Sequence, residues 1–500
     1  MTPYEFGRRA ATRVKTGALL PGVELQPAQQ RIADAGHDYE ARKLIYHGLG
    51  SGKTLASIAH AETVGSPYTA VGPAALRTNF QKEREKWTDQ QTPASVYSFN
   101  ALSQGNGPDE TDTLIVDEAQ NLRNANSQRT KAVQDLADTA KHVLLLSGTP
   151  IVNHPHDLAP LISMLTQQTI TPEQFDKRYV GHENVSPGLF GWLKGVKPGQ
   201  RPVLQNADEL KDLLAGHVDY RPSPEMGIDK IDEDYTVPMS AEQTSLYQGF
   251  WDRLPWLLRW KVQNDFPLSN REMQNLSAFL SGPRQVSLST LPFMRGRKEP
   301  YKAFQQSPKL QKALELATQQ LQGNPNARGV AFSNFIDAGL TPYQAALERA
   351  GIPSGVFHGG LTDAQRKAVV DDYNKGKLRM LLLGPSGGEG ISLKGTRLLQ
   401  ILDPHWNEAR TSQAIGRGIR FDSHNDLPED ERNITVQRFE SELPPDFLSR
   451  LWRKLVQTKP DNEKNAPGSD AYLRQLAKRK TELNEQFLHL LQEVGSEQEA

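Results

Sequence analysis

His47-Gly48-Leu49-Gly50-Ser51-Gly52-Lys53-Thr54 follows a short apolar run, Lys43-Leu44-Ile45-Tyr46, and opens a stretch of helical character. Glycines let a backbone wrap around phosphates, and the N–H groups of the turn and of the following helix bind anions. Lys53 adds a point charge, and a hydroxyl at Thr54 suits a magnesium ligand. Strict spacing for such a loop puts a glycine where His47 stands, but the Gly-x-Gly-Lys-Thr core is intact. A glycine-rich turn that binds nothing is the plain alternative, and the flanking sequence decides against it.

Two more strand ends supply that context. Leu114-Ile115-Val116-Asp117-Glu118-Ala119-Gln120 is an apolar run that stops at two carboxylates. Asp117 is suited to hold magnesium, usually through water, and Glu118 to orient and polarise an attacking water. Leu146-Ser147-Gly148-Thr149-Pro150 ends a further apolar run in small and hydroxyl residues. Either alone is an ordinary strand end; in this order after a phosphate loop they compose a nucleotide-hydrolysing site. Residues 43–165 alternate such runs with helical patterns, the βαβ signature of a parallel sheet covered on both faces.

The alternation returns at Gly329-Val330-Ala331-Phe332, Gly355-Val356-Phe357, Arg379 to Leu383 and Leu398 to Leu402. This second half carries Gln413-Ala414-Ile415-Gly416-Arg417-Gly418-Ile419-Arg420. Two arginines three apart share one face of a helix. Such a face can bring guanidiniums to a γ-phosphate as an arginine finger does, whereas in isolation it reads as a solvated basic helix end. Residues 166–305, rich in Pro, Gln and aromatics with little strand character, are expected to be mainly helical insertion and connector.

The predicted fold class is α/β. Two RecA-like parallel-sheet lobes are expected, with a mainly helical insertion between them and a C-terminal helical brace. The expected boundaries are an N-terminal arm at 1–24, lobe one at 25–165, the insertion at 166–305, lobe two at 306–440 and the brace at 441–500. The brace ends in a helix with Tyr472, Leu476, Leu483, Phe487, Leu490, Leu491 and Val494 at three- and four-residue steps, a stripe that must bury against something.

Composition is consistent with this. The chain has 500 residues, 37 % hydrophobic and 23 % charged, enough for two or three cores. It has no cysteine, which excludes disulfides, thiolate metal sites and cysteine nucleophiles and fits an intracellular protein. Its 58 basic and 59 acidic residues nearly cancel, so nucleic acid binding would need a locally basic cleft. No apolar run approaches the roughly 20 residues of a membrane span. The basic start (Arg8, Arg9, Arg13, Lys15) is not an export signal and reads as a frayed arm, with an organelle transit peptide as the alternative.

Taken together, these segments resemble helicase superfamily two, and within it the Swi/Snf-like branch, from about residue 25 to 440. Leu25-Gln26-Pro27-Ala28-Gln29 resembles the adenine-reading segment of lobe one, and Ser147 to Asn153 with Asp157-Leu158 the third motif. Tyr235 to Ser240 resembles the start of the inter-lobe region and Ser307-Pro308-Lys309-Leu310 the lead into lobe two. In lobe two, Phe332-Ser333-Asn334-Phe335, His358-Gly359-Gly360-Leu361 with Arg366, Gly387 to Leu393, and Asp403-Pro404-His405-Trp406-Asn407 follow in family order.

The resemblance implies ATP and Mg²⁺ as cofactors. It implies nucleotide contacts from Gln29, the loop His47 to Thr54, Gly390 and Gln413; magnesium at Thr54 and Asp117; and catalysis by Lys53, Asp117, Glu118, Arg417 and Arg420. It also implies contacts to a nucleic acid backbone rather than base edges, with Asn79, Thr149, Asn334, Gly359, Ser386 and Trp406 as candidates. The expected activity is ATP-driven translocation on double-stranded DNA. The alternatives are a strand-separating helicase on DNA or RNA, with single strands as a further partner, and a non-hydrolysing scaffold.

The departures are Ser51 in place of a leucine, Gln120 in place of a histidine that suggests altered coupling to DNA, and Ser392 in place of an asparagine. The final segment is similar to small viral and bacterial members. Trp251 to Lys261 interleaves aromatics with basic residues and reads either as a base-stacking wedge or, preferably, as a core stripe with snorkelling arginines. Arg295-Gly296-Arg297-Lys298 reads either as a contact to DNA phosphates or, more commonly, as a solvated basic loop.

Overall fold

The computed structural model describes residues 19–48, 50–74, 76–187, 192, 198–223, 229–263, 266–296, 298–324, 326–385, 393–403, 432–443 and 469–496. The chain forms two compact units. Met1–His182, Pro202–Pro224 and Glu482–Ala500 make the first, and Glu183–Arg201 with Glu225–Thr481 the second.

Fourteen strands are described. They are β1 (Ala41–His47), β2 (Tyr68–Gly72), β3 (Ala94–Ser98), β4 (Thr113–Asp117), β5 (His142–Ser147), β6 (Val180–Val185), β7 (Gly199–Leu204), β8 (Val218–Arg221), β9 (Asp229–Pro238), β10 (Arg328–Phe332), β11 (Ser354–Phe357), β12 (Met380–Leu383), β13 (Thr396–Ile401) and β14 (Asn433–Glu442). The first unit holds a six-stranded sheet in the order β3-β2-β4-β5-β1-β8, parallel throughout. Every residue of β2 and β5 is buried, as continuous apolar runs require when helices cover both faces. One face packs Ile32, Ile58 and Phe80 against Ile45, Ile115 and Leu146. The other takes Val133, Leu136, Leu161 and Ile162.

That second face is completed from the far end of the sequence. Leu483, Phe487, Leu490, Leu491 and Val494, on the helix Ser469–Ser496, enter the same core. Phe487 lies 5.7 Å from Phe175, ring centre to ring centre, and Lys211 pairs with Glu493 at 2.6 Å. The side chains of Tyr472 and Leu476, also in the expected stripe, are outside the described residues.

The second unit repeats the design in the order β11-β12-β10-β13-β14-β9, again parallel. Both sheets thus confirm the α/β class and the paired parallel-sheet lobes. The helices Ala241–Trp251, Trp256–Gln263 and Asn270–Leu288 enclose a separate cluster that includes Tyr247, Trp251, Leu254, Leu258 and Leu280. Trp251 is buried and stacks on Tyr247, so the core reading of that stripe holds there, whereas Trp256 is exposed.

Residues 166–305 differ from expectation. They contain four strands, β6 to β9. β8 extends the first sheet beside β1, β9 extends the second beside β14, and β6 and β7 form a two-stranded ribbon. Edge strands are wetted on one side and need no apolar run. β9 alternates exposed and half-buried residues over much of its length, and β8 is four residues with two charges.

Candidate nucleotide-binding site

The ends of β1, β5 and β4 stand side by side. Ile45 pairs with Leu146 and Leu146 with Asp117, while Tyr46 pairs with Ser147. Neighbouring strands are about 4.8 Å apart, so the phosphate loop, the third motif and the carboxylate pair leave the sheet within about 10 Å. Carboxyl ends of parallel strands are where such sheets bind ligands.

The loop leaves β1 and enters the helix Lys53–Val64 through Gly52, whose φ of 75° suits glycine alone. A Cβ at Gly52 would also run into the Gln29 amide. Gln29 is buried at the start of the helix Pro27–Asp34 and donates its Nε2–H to the Ser51 carbonyl at 3.1 Å. Lys53 donates from Nζ to the carbonyls of His47 (2.8 Å) and Gly48 (3.0 Å). A Cβ at Gly148 would stand 3.7 Å from Lys53 Nζ, so the third motif borders the lysine. Gln29, His47, Gly48, Ser51, Lys53 and Gly148 are therefore gathered in one place.

His47, the departure from a glycine, has a structural explanation that the sequence did not disclose. Its imidazole is fully buried and bonds through Nε2 to Asp219 Oδ1 on β8 at 2.6 Å. Arg31, from the helix that carries Gln29, clasps the same carboxylate with Nε at 2.6 Å and Nη2 at 3.0 Å. Burial pushes the imidazole pKa down against the pull of Asp219. Burial pushes the Asp219 carboxyl up, but the His47 and Arg31 hydrogen bonds outweigh it and hold the group below the usual carboxylate range. A neutral imidazole thus donates to an ionised Asp219, and that carboxylate ties the helix Pro27–Asp34 to the loop after β1. The one available signal was His47 itself, since an imidazole buried in such a loop requires a partner.

The carboxylate end is equally constrained. Glu118 has φ 53° and ψ 48°, a left-handed conformation that costs a non-glycine residue roughly 1–3 kcal/mol and tends to mark functional positions. It is held by its own N–H on Asp117 Oδ1 at 2.9 Å and by the Asn121 amide on its carbonyl at 3.0 Å. Gln120 donates from Nε2 to Glu118 Oε2 at 2.6 Å, and its Oε1 accepts from Ser147 Oγ at 2.7 Å. Ser147 Oγ in turn accepts the Thr149 N–H at 3.0 Å. Gln120 therefore connects Glu118 to the third motif. Thr54 and Asp117 offer hard oxygen donors, the chemistry magnesium prefers.

In the second unit Asp403 is the centre. It accepts from Ser333 Oγ (2.7 Å), Asn334 N–H (3.0 Å), Asn334 Nδ2 (2.8 Å) and Arg284 Nη2 (3.1 Å). The Asn334 amide is thus committed within the protein. Asn79 and Gly359 are exposed, and Gly359 takes a hydrogen bond from Arg366 on its carbonyl. Leu49, Ser386, Gly390, Trp406, Gln413, Arg417 and Arg420 lie outside the described residues. Among the described residues no helix is long and apolar enough to cross a membrane.

Residues 98–186 match the SNF2-related domain family, and residues 309–422 the helicase conserved C-terminal domain. The chain is 26 % identical over 88 % of its length to L538 of Acanthamoeba polyphaga mimivirus, a protein named for ATP-dependent RNA helicase activity, and covers 90 % of it. It is 22 % identical, over 91 % of its length and 76 % of the relative's, to the termination factor NPH-I homolog of African swine fever virus. The helicase/translocase YwqA of Bacillus subtilis is 24 % identical across 75 % of this chain, which spans 42 % of YwqA. With the SNF2-related match falling on the carboxylate and third motifs and the helicase match on the second sheet, this chain carries the two domains of a helicase-type ATPase and is similar to SNF2-related members of helicase superfamily two.

Proposed function

We propose that this protein couples ATP hydrolysis to stepping along double-stranded DNA. The observation that carries the proposal is the path Glu118–Gln120–Ser147–Thr149. It runs from the residue suited to polarise water to a threonine proposed to touch the nucleic acid backbone. A change in how Thr149 is loaded shifts Ser147 and Gln120, and with them the carboxylate that aligns water.

In this reading Gln29 recognises the base, and the loop from His47 to Thr54, together with Gly390 and Gln413, holds the triphosphate. When nucleotide binds, Lys53 exchanges the carbonyls of His47 and Gly48 for phosphate oxygens. Glu118 then positions the attacking water. Magnesium, held by Thr54 and Asp117, would neutralise the phosphate oxygens. Arg417 and Arg420 contribute the charge that stabilises the transition state. Movement further requires that DNA bind the ATP-loaded and relaxed states with different affinity, because a ligand that binds both equally shifts nothing. Duplex rather than single-stranded substrate is supported by the SNF2-related match over residues 98–186 and by the translocase name of the Bacillus relative.

The name of the mimivirus relative favours a second reading, a helicase acting on RNA. ATPase rates with duplex DNA, single-stranded DNA and RNA, together with displacement of a triplex third strand, separate the two. Duplex stimulation with triplex displacement is expected. Stimulation by RNA alone, with opening of a forked duplex, overturns the translocase. Glu118→Gln is expected to lower turnover by at least about 100-fold while ATP still binds, and unchanged turnover would favour the scaffold.

A further inference from the structure

We propose that His154, His156 and Asp176 form a binding site for a divalent transition-metal ion, with zinc as the best chemical fit, clamping the turn after the third motif to the helix Pro172–Tyr179. All three ligand atoms lie within 4.8 Å of one another, and all three residues are half-buried or partly exposed, which leaves an ion a way in. His156 donates from Nδ1 to Asp176 Oδ2 at 2.8 Å. The other carboxylate oxygen, Asp176 Oδ1, is buried with no hydrogen-bond partner and lies 3.5 Å from His154 Nδ1. The lone pair of that nitrogen accepts the His156 N–H at 3.4 Å, a long bond that an ion would replace. A cation there would satisfy the buried Asp176 Oδ1 and take the neighbouring imidazole nitrogen as a second ligand.

The spacing suits zinc. With bonds of about 2.0–2.1 Å, ligand atoms around a tetrahedral ion sit about 3.4 Å apart. The His154–Asp176 separation already matches, and the shorter His156–Asp176 contact has to open by roughly half an ångström as the ion replaces the proton. That proton must leave His156 Nδ1: a neutral ring moves it to Nε2, whereas a ring that starts as imidazolium keeps its Nε2–H and releases one proton to water. Two imidazoles and one carboxylate, with water in the fourth position, suit zinc, cobalt(II) or nickel(II) and disfavour magnesium.

The turn is built independently of any ion. Asp157 Oδ2 accepts the N–H groups of Val152 (3.0 Å), Asn153 (2.5 Å) and His154 (3.2 Å), fixing the backbone that presents both imidazoles. Their rings lie 4.1 Å apart, centre to centre, beside the carboxylate. This site shares no residue with the proposed nucleotide site, so its fate does not depend on that assignment.

Calorimetric titration of the metal-stripped full chain with zinc chloride at neutral pH tests the inference. One equivalent is expected to bind in the micromolar range or tighter, to persist in millimolar magnesium, and to give cobalt(II) visible bands of a low-coordinate site. Asp176→Asn and His156→Gln, checked for folding by circular dichroism, are each expected to weaken that binding at least about 100-fold. Absence of a stoichiometric site in the parent chain, equal binding in both folded variants, or displacement by magnesium overturns it.

Discussion

The two units each fix a motif with one buried aspartate, and they do so differently. Asp219, on an edge strand of the first sheet, accepts from one imidazole and one guanidinium, and its Arg31 partner is 27 % exposed. Asp403, at the end of β13, accepts from a hydroxyl, a backbone N–H, an amide and the nearly buried Arg284. The first arrangement holds the loop after β1 by the His47 side chain, beside the bond from the Gly48 N–H to the Arg221 carbonyl and that from Gln29 to the Ser51 carbonyl. The second holds Asn334 by its backbone N–H and its amide, and Ser333 by its hydroxyl. A loop that must rearrange around a ligand is tethered; a strand end that must stay in place is pinned.

Removing the two aspartates separates these designs. Asp403→Ala removes the buried carboxylate that holds Arg284, Ser333 and Asn334 together and is expected to cost about 3–5 kcal/mol in chemical denaturation, felt in hydrogen exchange across β10 and β13. A loss below about 1 kcal/mol would mean Asp403 is not a keystone.

Acid should divide the units next. In the first, His60 is buried, donating to the Ile32 carbonyl and bonding His142 at 3.1 Å, and burial lowers its pKa to about 4. The unfolded chain binds the proton more readily, so this contribution is complete above about pH 6.5 and is lost as pH falls towards 4, about 3 kcal/mol in all. Among the described residues of the second unit the one histidine is His358, which is half-buried. Exchange protection of β1 and β5 is expected to fall between pH 6.5 and 4.5 before that of β10 and β12; simultaneous loss would refute this origin.

Asp219→Ala is expected to cost less, about 1–3 kcal/mol, since Arg31 can turn to water. The same change should raise the ATP concentration for half-maximal turnover several-fold while the maximal rate moves little. In a His47→Gly background the penalty should shrink, and an unchanged penalty would show that Asp219 does not act through the loop. The smallest effect is expected for Gln120→Ala. It should spare basal ATPase within about threefold but reduce stimulation by DNA, and equal loss of both rates would make Gln120 merely structural.

How far the sequence alone carried the reading follows from burial. β1, β2, β4, β5, β10, β12 and β13 sit inside sheets, so their apolar runs and terminal Gly, Asp or Pro announce them, while β11, at an edge, was still legible from its short Gly-Val-Phe run. β8 and β9 lie at sheet edges, where half of each strand meets water and charge is tolerated, so no run betrays them. Site residues close in sequence, from His47 to Thr54 and from Asp117 to Gln120, were legible as motifs. Asp219 was not, because only tertiary structure brings it to His47, and β8 has no pattern of its own. The histidines of the inferred metal site stood beside a recognised motif, but Asp176 joins them only once the helix Pro172–Tyr179 folds back.

The helix residues Leu483, Phe487, Leu490, Leu491 and Val494 in the first unit's core imply an order of events during synthesis. The ribosome makes β1 to β5 early, then every strand of the second sheet, and only afterwards the side chains that complete the first unit's apolar face. Until then that face stays open to water, to chaperones or to another nascent chain. The second unit, contiguous apart from one short segment, can close while the first is still waiting.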